Sequence, residues 1–210
     1  MRLSDIIIES PNIIGAYTPK ILINSIRNRQ KYNRLLNNPH KKLYKKIDDN
    51  ATIFTLGNKI FCLNDKRQNI TYYMEFKKSY SNIIGNHVQQ VYLWSLGDNE
   101  YELHLPTNIF WEYLLPKYGS ILTDSKQSWD GKRFLVRQIR RALSMSNIYV
   151  YYVDFGTREV YEINDETEWE IFNDRGIDVW KEGQTYEMRR LLISNKRLPE
   201  LKPKQKRVKS

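Results

Sequence analysis

Two alternating apolar runs, Thr52 to Leu56 and Lys59 to Leu63, are separated only by Gly57-Asn58. A two-residue connection leaves room for a tight antiparallel hairpin and little else, because glycine tolerates the positive φ that such turns demand. A third run, Ile70 to Phe76, comes next, and a fourth, Val88 to Leu96, follows after a loop containing Gly85-Asn86. The four runs predict an antiparallel meander. After the turn Gly97-Asp98-Asn99, Tyr101 to Leu105 is expected to extend or pair with it.

The second half changes period. Pro106-Thr107-Asn108 is expected to open a helix through Tyr118, with Ile109, Phe110, Tyr113 and Leu114 inward and Gly119 as its stop. A short strand, Ser120 to Thr123, leads to a second helix from Trp129 to Ser144, where Leu135, Ile139, Ala142 and Leu143 form an apolar stripe. Ile148 to Val153 and Arg158 to Ile163 read as strands, Glu166 to Phe172 as a short acidic helix, and Tyr186 to Ile193 as a closing strand. Ahead of the meander, Lys20 to Leu36 reads as an amphipathic helix with Ile21, Leu22, Ile26, Leu35 and Leu36 on its apolar face. Asn37-Asn38-Pro39 ends it. The fold class is therefore α/β (α+β): one domain over residues 20–198, a mixed and centrally antiparallel sheet flanked by helices. Residues 1–19 form an irregular arm and residues 199–210 a basic disordered tail.

Charge is distributed unevenly. Of the net +10, Arg27 to Lys46 contributes +8 and Lys196 to Ser210 contributes +6, which leaves −4 for the rest. Clustered cations attract phosphate through counterion release, so the expected partners are nucleic acid or an acidic protein surface. The residues expected to carry that contact are Arg27, Arg29, Lys31 and Arg34 of the first helix, Arg133, Arg137, Arg140 and Arg141 of the later one, and Lys204, Lys206 and Arg207 of the tail. The four arginines of the later helix follow i, i+4, i+7, i+8 spacing and share a face. They can equally pair with the acidic stretch from Asp165 to Asp174.

Five tryptophans and fifteen tyrosines exclude a largely disordered chain. The single Cys62, between Phe61 and Leu63, excludes a disulfide framework and reads as a buried, inert thiol in a reducing compartment. No apolar run approaches the length of a membrane span or signal-peptide core. A cytoplasmic protein with no membrane partner is expected. His40, His87 and His104 have no acid or cysteine at metal-ligand spacing, so no metal site is expected.

The element order over Ala51 to Val153 resembles the GNAT (GCN5-related N-acetyltransferase) fold. The run from Leu114 to Lys132, with Tyr118-Gly119, Thr123-Asp124-Ser125, Gln127-Ser128 and Gly131, is similar to divergent GNAT-like proteins of bacteriophages, as is Tyr186 to Ile193. That resemblance implies an N-acyltransferase using acetyl-CoA or another acyl-CoA, in the host cytoplasm or a virion. It places the donor at the loop from Leu96 to Asn108, where Leu96, Gly97, Thr107 and Asn108 are the candidate cofactor contacts. The loop departs from the family pattern, with one glycine, the acids Asp98, Glu100 and Glu102, and no Lys or Arg. Each carboxylate close to a pyrophosphate costs roughly 1–4 kcal/mol, so weak donor binding is expected. Glu75 is the candidate base. Asp124 and Ser125 lie at the carboxyl end of a strand, where α/β sheets place ligands. Capping of the next helix is the simpler account of both residues. The alternative function is a non-catalytic nucleic-acid-binding or virion-assembly protein.

Overall fold

The computed structural model describes residues 25–96, 100–124, 129–174 and 188–199. In chain order these form α1 (Ser25–Leu36), β1 (Lys42–Lys46), β2 (Ala51–Leu56), β3 (Lys59–Asn64), β4 (Asn69–Ser81) and β5 (Gly85–Ser95). Then come α2 (Glu100–Asn108), a π-helical segment (Ile109–Leu114), α3 (Leu115–Tyr118), β6 (Ser120–Leu122) and α4 (Trp129–Leu143). The chain closes with β7 (Tyr149–Asp154), β8 (Glu159–Ile163), α5 (Glu166–Asp174) and β9 (Arg189–Ser194).

All nine strands join one mixed sheet in the order β1-β2-β3-β4-β5-β6-β9-β7-β8. The β2–β3 hairpin turns at Gly57, φ +61°, as the sequence requires. From β1 to β5 every pairing is antiparallel, β5–β6 is parallel, and β9 enters between β6 and β7 antiparallel to both.

Both faces of the sheet carry buried apolar residues, which is why so many strand residues are apolar in succession. On one face Ile53, Ile60, Cys62, Met74, Phe76 and Val88 pack with Leu105, Ile109, Phe110 and Leu114, and with Phe134, Leu135 and Ile139 of α4. On the other face Tyr32 and Leu35 of α1 pack on Phe61, Leu63, Ile70 and Tyr73. Farther along it, Ile84, Leu122, Tyr151, Val153 and Leu192 form a separate cluster. Cys62 is buried at the first interface.

The structure corrects the sequence reading in three places. Tyr101–Leu105 is helical rather than extended, and the helix begins at Glu100, not at Pro106. Pro106 therefore lies inside α2, where it cannot donate a backbone hydrogen bond. The next turn and a half is π-helical, with the Leu115 N–H reaching back to the Phe110 carbonyl. Second, Ile26 is 69% exposed and Leu36 is exposed, while the buried face of α1 is Asn28, Tyr32 and Leu35. Of the expected aliphatic face Leu35 is buried, with Asn28 and Tyr32 beside it in place of Ile26 and Leu36; Ile21 and Leu22 lie outside the described residues. Third, Lys42–Lys46 forms an edge strand in a segment too polar to read as one. Lysines on an edge discourage pairing with other sheets.

Candidate functional site

The parallel junction of β5 and β6 is the irregular point of the sheet. The two strands pair only through Val88↔Ile121 and Gln89↔Leu122. Beyond Gln89, β5 continues to Ser95 paired with β4 alone, among the described residues. In that stretch Glu75 faces Tyr92 and Phe76 faces Gln90, so Val91 is an extra residue. Such a bulge bends its strand. β6 instead follows β9, with the Thr123 N–H donating to the Leu191 carbonyl at 2.8 Å. Gly119, at φ +80°, sets the start of β6, and its carbonyl accepts from the Asn195 N–H at 2.9 Å.

The β5–β6 pairing thus ends at Gln89, where β6 itself ends at Leu122. At that point the Gln89 side-chain amide donates to Asp124 Oδ1 at 3.1 Å. The sequence reading singled out Asp124; Gln89 it missed, because nothing local marks a glutamine in an apolar strand. His87, two residues earlier and nearly buried, has Nδ1 3.0 Å from the Gly85 carbonyl. In the helical layer, α2, the π segment and α4 are joined by a part-buried polar contact. Trp111 Nε1 donates to Gln138 Oε1 at 2.6 Å, and Gln138 Nε2 lies 3.5 Å from Thr107 Oγ1. Arg141 stacks 5.1 Å over the Trp111 ring.

Thr107 and Asn108 lie at the carboxyl end of α2 and so present no helix-start amides. Those amides belong to the turn beginning at Glu100. Leu96 immediately follows β5, and its N–H donates to the Thr71 carbonyl. Gly97 and Ser125 lie outside the described residues, as do Lys204, Lys206 and Arg207.

Glu75 is on the α1 side of the sheet, where Oε2 accepts from the Tyr73 hydroxyl at 2.9 Å. Lys31 Nζ sits 4.3 Å over the Tyr73 ring. Burial, with Lys59 nearby, lowers the Lys31 pKa, and Glu75 acts against that shift. Lys31 is thus drawn toward the sheet, while Arg27, Arg29 and Arg34 remain exposed on α1. On α4, Arg133, Arg137, Arg140 and Arg141 are all exposed. Arg140 is bound within the chain, 2.8 Å from Glu166 and 4.0 Å from Glu170 of α5. That is the intramolecular pairing the sequence allowed.

Among the described residues no cluster of three or more His, Cys, Asp or Glu could hold a metal ion, and no helix is long and apolar enough to cross a membrane. No family model matches the sequence, and no curated protein matches it.

Proposed function

We propose that this chain is a GNAT-like domain whose gap between β5 and β6 receives the acyl-bearing arm of an acyl-CoA, for transfer of the acyl group to an amine. The observation that carries this reading is the parallel pair of two residues, which ends with β6 at Leu122 while β5 runs on to Ser95. Past it, from Gln90 onward, β5 has β4 on one side and no second strand beside it among the described residues. Such an edge presents N–H and C=O groups at regular spacing, which suits an extended arm containing amides. The strand–helix–strand–helix–strand order from β5 to β7 supports the same reading. Asp124, where the pairing ends, is the side chain best placed to meet a group held there.

The turn beginning at Glu100 is the natural anion site of such a domain, because its first amides lack helical partners. The sequence places Asp98, Glu100 and Glu102 around it. Carboxylates at a helix start already satisfy its positive end and compete with a pyrophosphate. Donor binding is therefore expected in the high-micromolar to millimolar range. The test is hydrogen exchange with acetyl-CoA and CoA, alongside calorimetry. Slowed exchange at the amides of Gln90 to Ser95 is expected. No heat at millimolar donor and unchanged exchange there sink the proposal.

A second reading is favoured by one observation: α1 turns Arg27, Arg29 and Arg34 outward while Asn28, Tyr32 and Leu35 anchor it. Such a face fits the phosphates of a nucleic acid. Replacing the three arginines by glutamine should weaken DNA or RNA binding and reduce its salt slope by about one for each phosphate no longer neutralised. An unchanged slope counts against this reading.

A further inference from the structure

Between α1 and the residues that join β3 to β4 lies a depression of about 380 Å3, with Ile26, Arg29, Gln30, Asn33, Gln68 and Asn69 among its walls. Its size falls within the range of small-molecule sites. No acid lines it. Asn28 is there too, but both ends of its carboxamide are committed to Ile70. The other four carboxamides, of Gln30, Asn33, Gln68 and Asn69, make no side-chain hydrogen bond among the described residues. Asn69 is the informative one, because its Oδ1 is buried and no donor reaches it. A buried carbonyl oxygen left in that state is costly. Arg29 is exposed and joins no ion pair among the described residues. Gln68 holds φ +53°, a left-handed conformation uncommon outside glycine, and backbone strain of that kind gathers at ligand sites.

A carboxamide offers a donor and an acceptor in one plane, which matches the edge of a nucleobase. Ile26, 69% exposed, supplies apolar surface for the flat face of a base, and Arg29 supplies a fork of donors suited to a phosphate. A simple anion would leave the carboxamide oxygens unpaired, and an uncharged ligand would leave Arg29 unused. We propose that this depression binds a nucleotide unit, with its phosphate at Arg29 and a base bearing an exocyclic amino group against the carboxamide of Asn69. The amino group then donates to the Asn69 oxygen, where the carbonyl oxygen of uracil or thymine would set one acceptor against another. A free nucleotide and a base of a strand lying on α1 share this chemistry; only the strand rests on the nucleic-acid reading above.

The binding is tested by calorimetry on the full chain with AMP, CMP, UMP and adenosine. Saturable binding of AMP and CMP is expected, with UMP weaker by about fivefold or more and adenosine weaker than AMP by about tenfold or more, as for the loss of one charged hydrogen bond. Asn69→Leu should erase the preference over UMP and keep the difference between AMP and adenosine; Arg29→Met should do the reverse. That crossed pattern does not arise from a general packing defect. Absence of saturable AMP and CMP binding, equal affinity for UMP, or equal losses in both variants overturns the proposal. Single strands of about ten adenylates or ten thymidylates separate the two sources. A preference for the adenylate strand that Asn69→Leu erases places a base of the strand in the depression. AMP binding without strand binding assigns the depression to the free nucleotide and removes the nucleic-acid reading of α1 alone, whereas salt-dependent strand binding without AMP binding or base preference removes only the nucleotide site.

Discussion

Asn28 holds both backbone groups of Ile70: its Nδ2 donates to the Ile70 carbonyl at 3.0 Å, and its Oδ1 accepts from the Ile70 N–H at 2.8 Å. The helix that carries the basic face is thereby fixed to β4 in the manner of a strand partner. Asn28→Leu leaves two buried backbone groups unpaired at about 1–3 kcal/mol each. A clear drop in the urea midpoint is expected, along with loss of protection at the Ile70 amide. A midpoint within about 0.5 kcal/mol of the parent would mean that α1 is held chiefly by Tyr32 and Leu35.

Trp111 and Gln138 join the π-helical segment to α4, with Trp111 Nε1 donating to Gln138 Oε1 at 2.6 Å. Gln138→Leu keeps the volume but leaves the indole N–H without its acceptor, at an expected cost of about 1–3 kcal/mol. A double-mutant cycle with Trp111→Phe should give a coupling of about 0.5–3 kcal/mol. Additive effects would show that the contact contributes nothing beyond packing.

Alkaline pH should destabilise the fold. Burial, above all, pushes Tyr32 and Tyr152 up to about 12, helped by Asp65 at the first and, for the second, by Asp154 against the opposing effect of Arg189. The unfolded chain releases phenolic protons near pH 10, so between about pH 10 and 12 the native state binds more protons and stability falls as pH rises. Below pH 10 that stabilisation is fully present. Tyr32→Phe and Tyr152→Phe should each make the fall shallower in urea titrations. A slope identical to the parent's would show that these phenols titrate normally.

Acid exposes a different contact. Asp154 accepts from the Gly156 N–H at 2.9 Å, the Thr157 N–H at 3.1 Å and Arg189 Nε at 3.2 Å. Burial opposes its charge, but the Thr157 amide, Arg189 and the Gly156 amide outweigh it and hold the carboxyl below its ordinary pKa. Its stabilisation is present above the unfolded value near 4 and lost as pH falls through the lower native one. Asp154→Asn should cost about 1.5–3 kcal/mol at neutral pH and flatten the acid limb of the stability curve. An unaltered acid limb would assign that limb to other carboxylates.

How far the sequence could be read depends on whether a feature is local. The hairpin at Gly57, the four runs from Ala51 to Ser95, and α4 are written in periods of two and 3.6. The helix from Glu100 was misplaced because Pro106 is a strong opening signal, and the chain tolerates it inside the helix with a π-helical turn after it. For α1, the docking face was misjudged because Asn28 is polar in sequence and satisfied only by Ile70, 42 residues away. Asp124 was legible as a residue after a strand; its partner Gln89 was not.

By itself, the sequence determined the α/β class, the antiparallel meander, the basic face on α1 and the placement of Cys62 among apolar residues. Only the tertiary structure decided that β9 inserts between β6 and β7, that β5 and β6 pair in parallel over two residues, and that Gln89 meets Asp124 there. The physical reason is range. Propensity and periodicity act within a turn or a strand, whereas strand order follows from burying both faces of a nine-stranded sheet at once, a condition that no single segment carries.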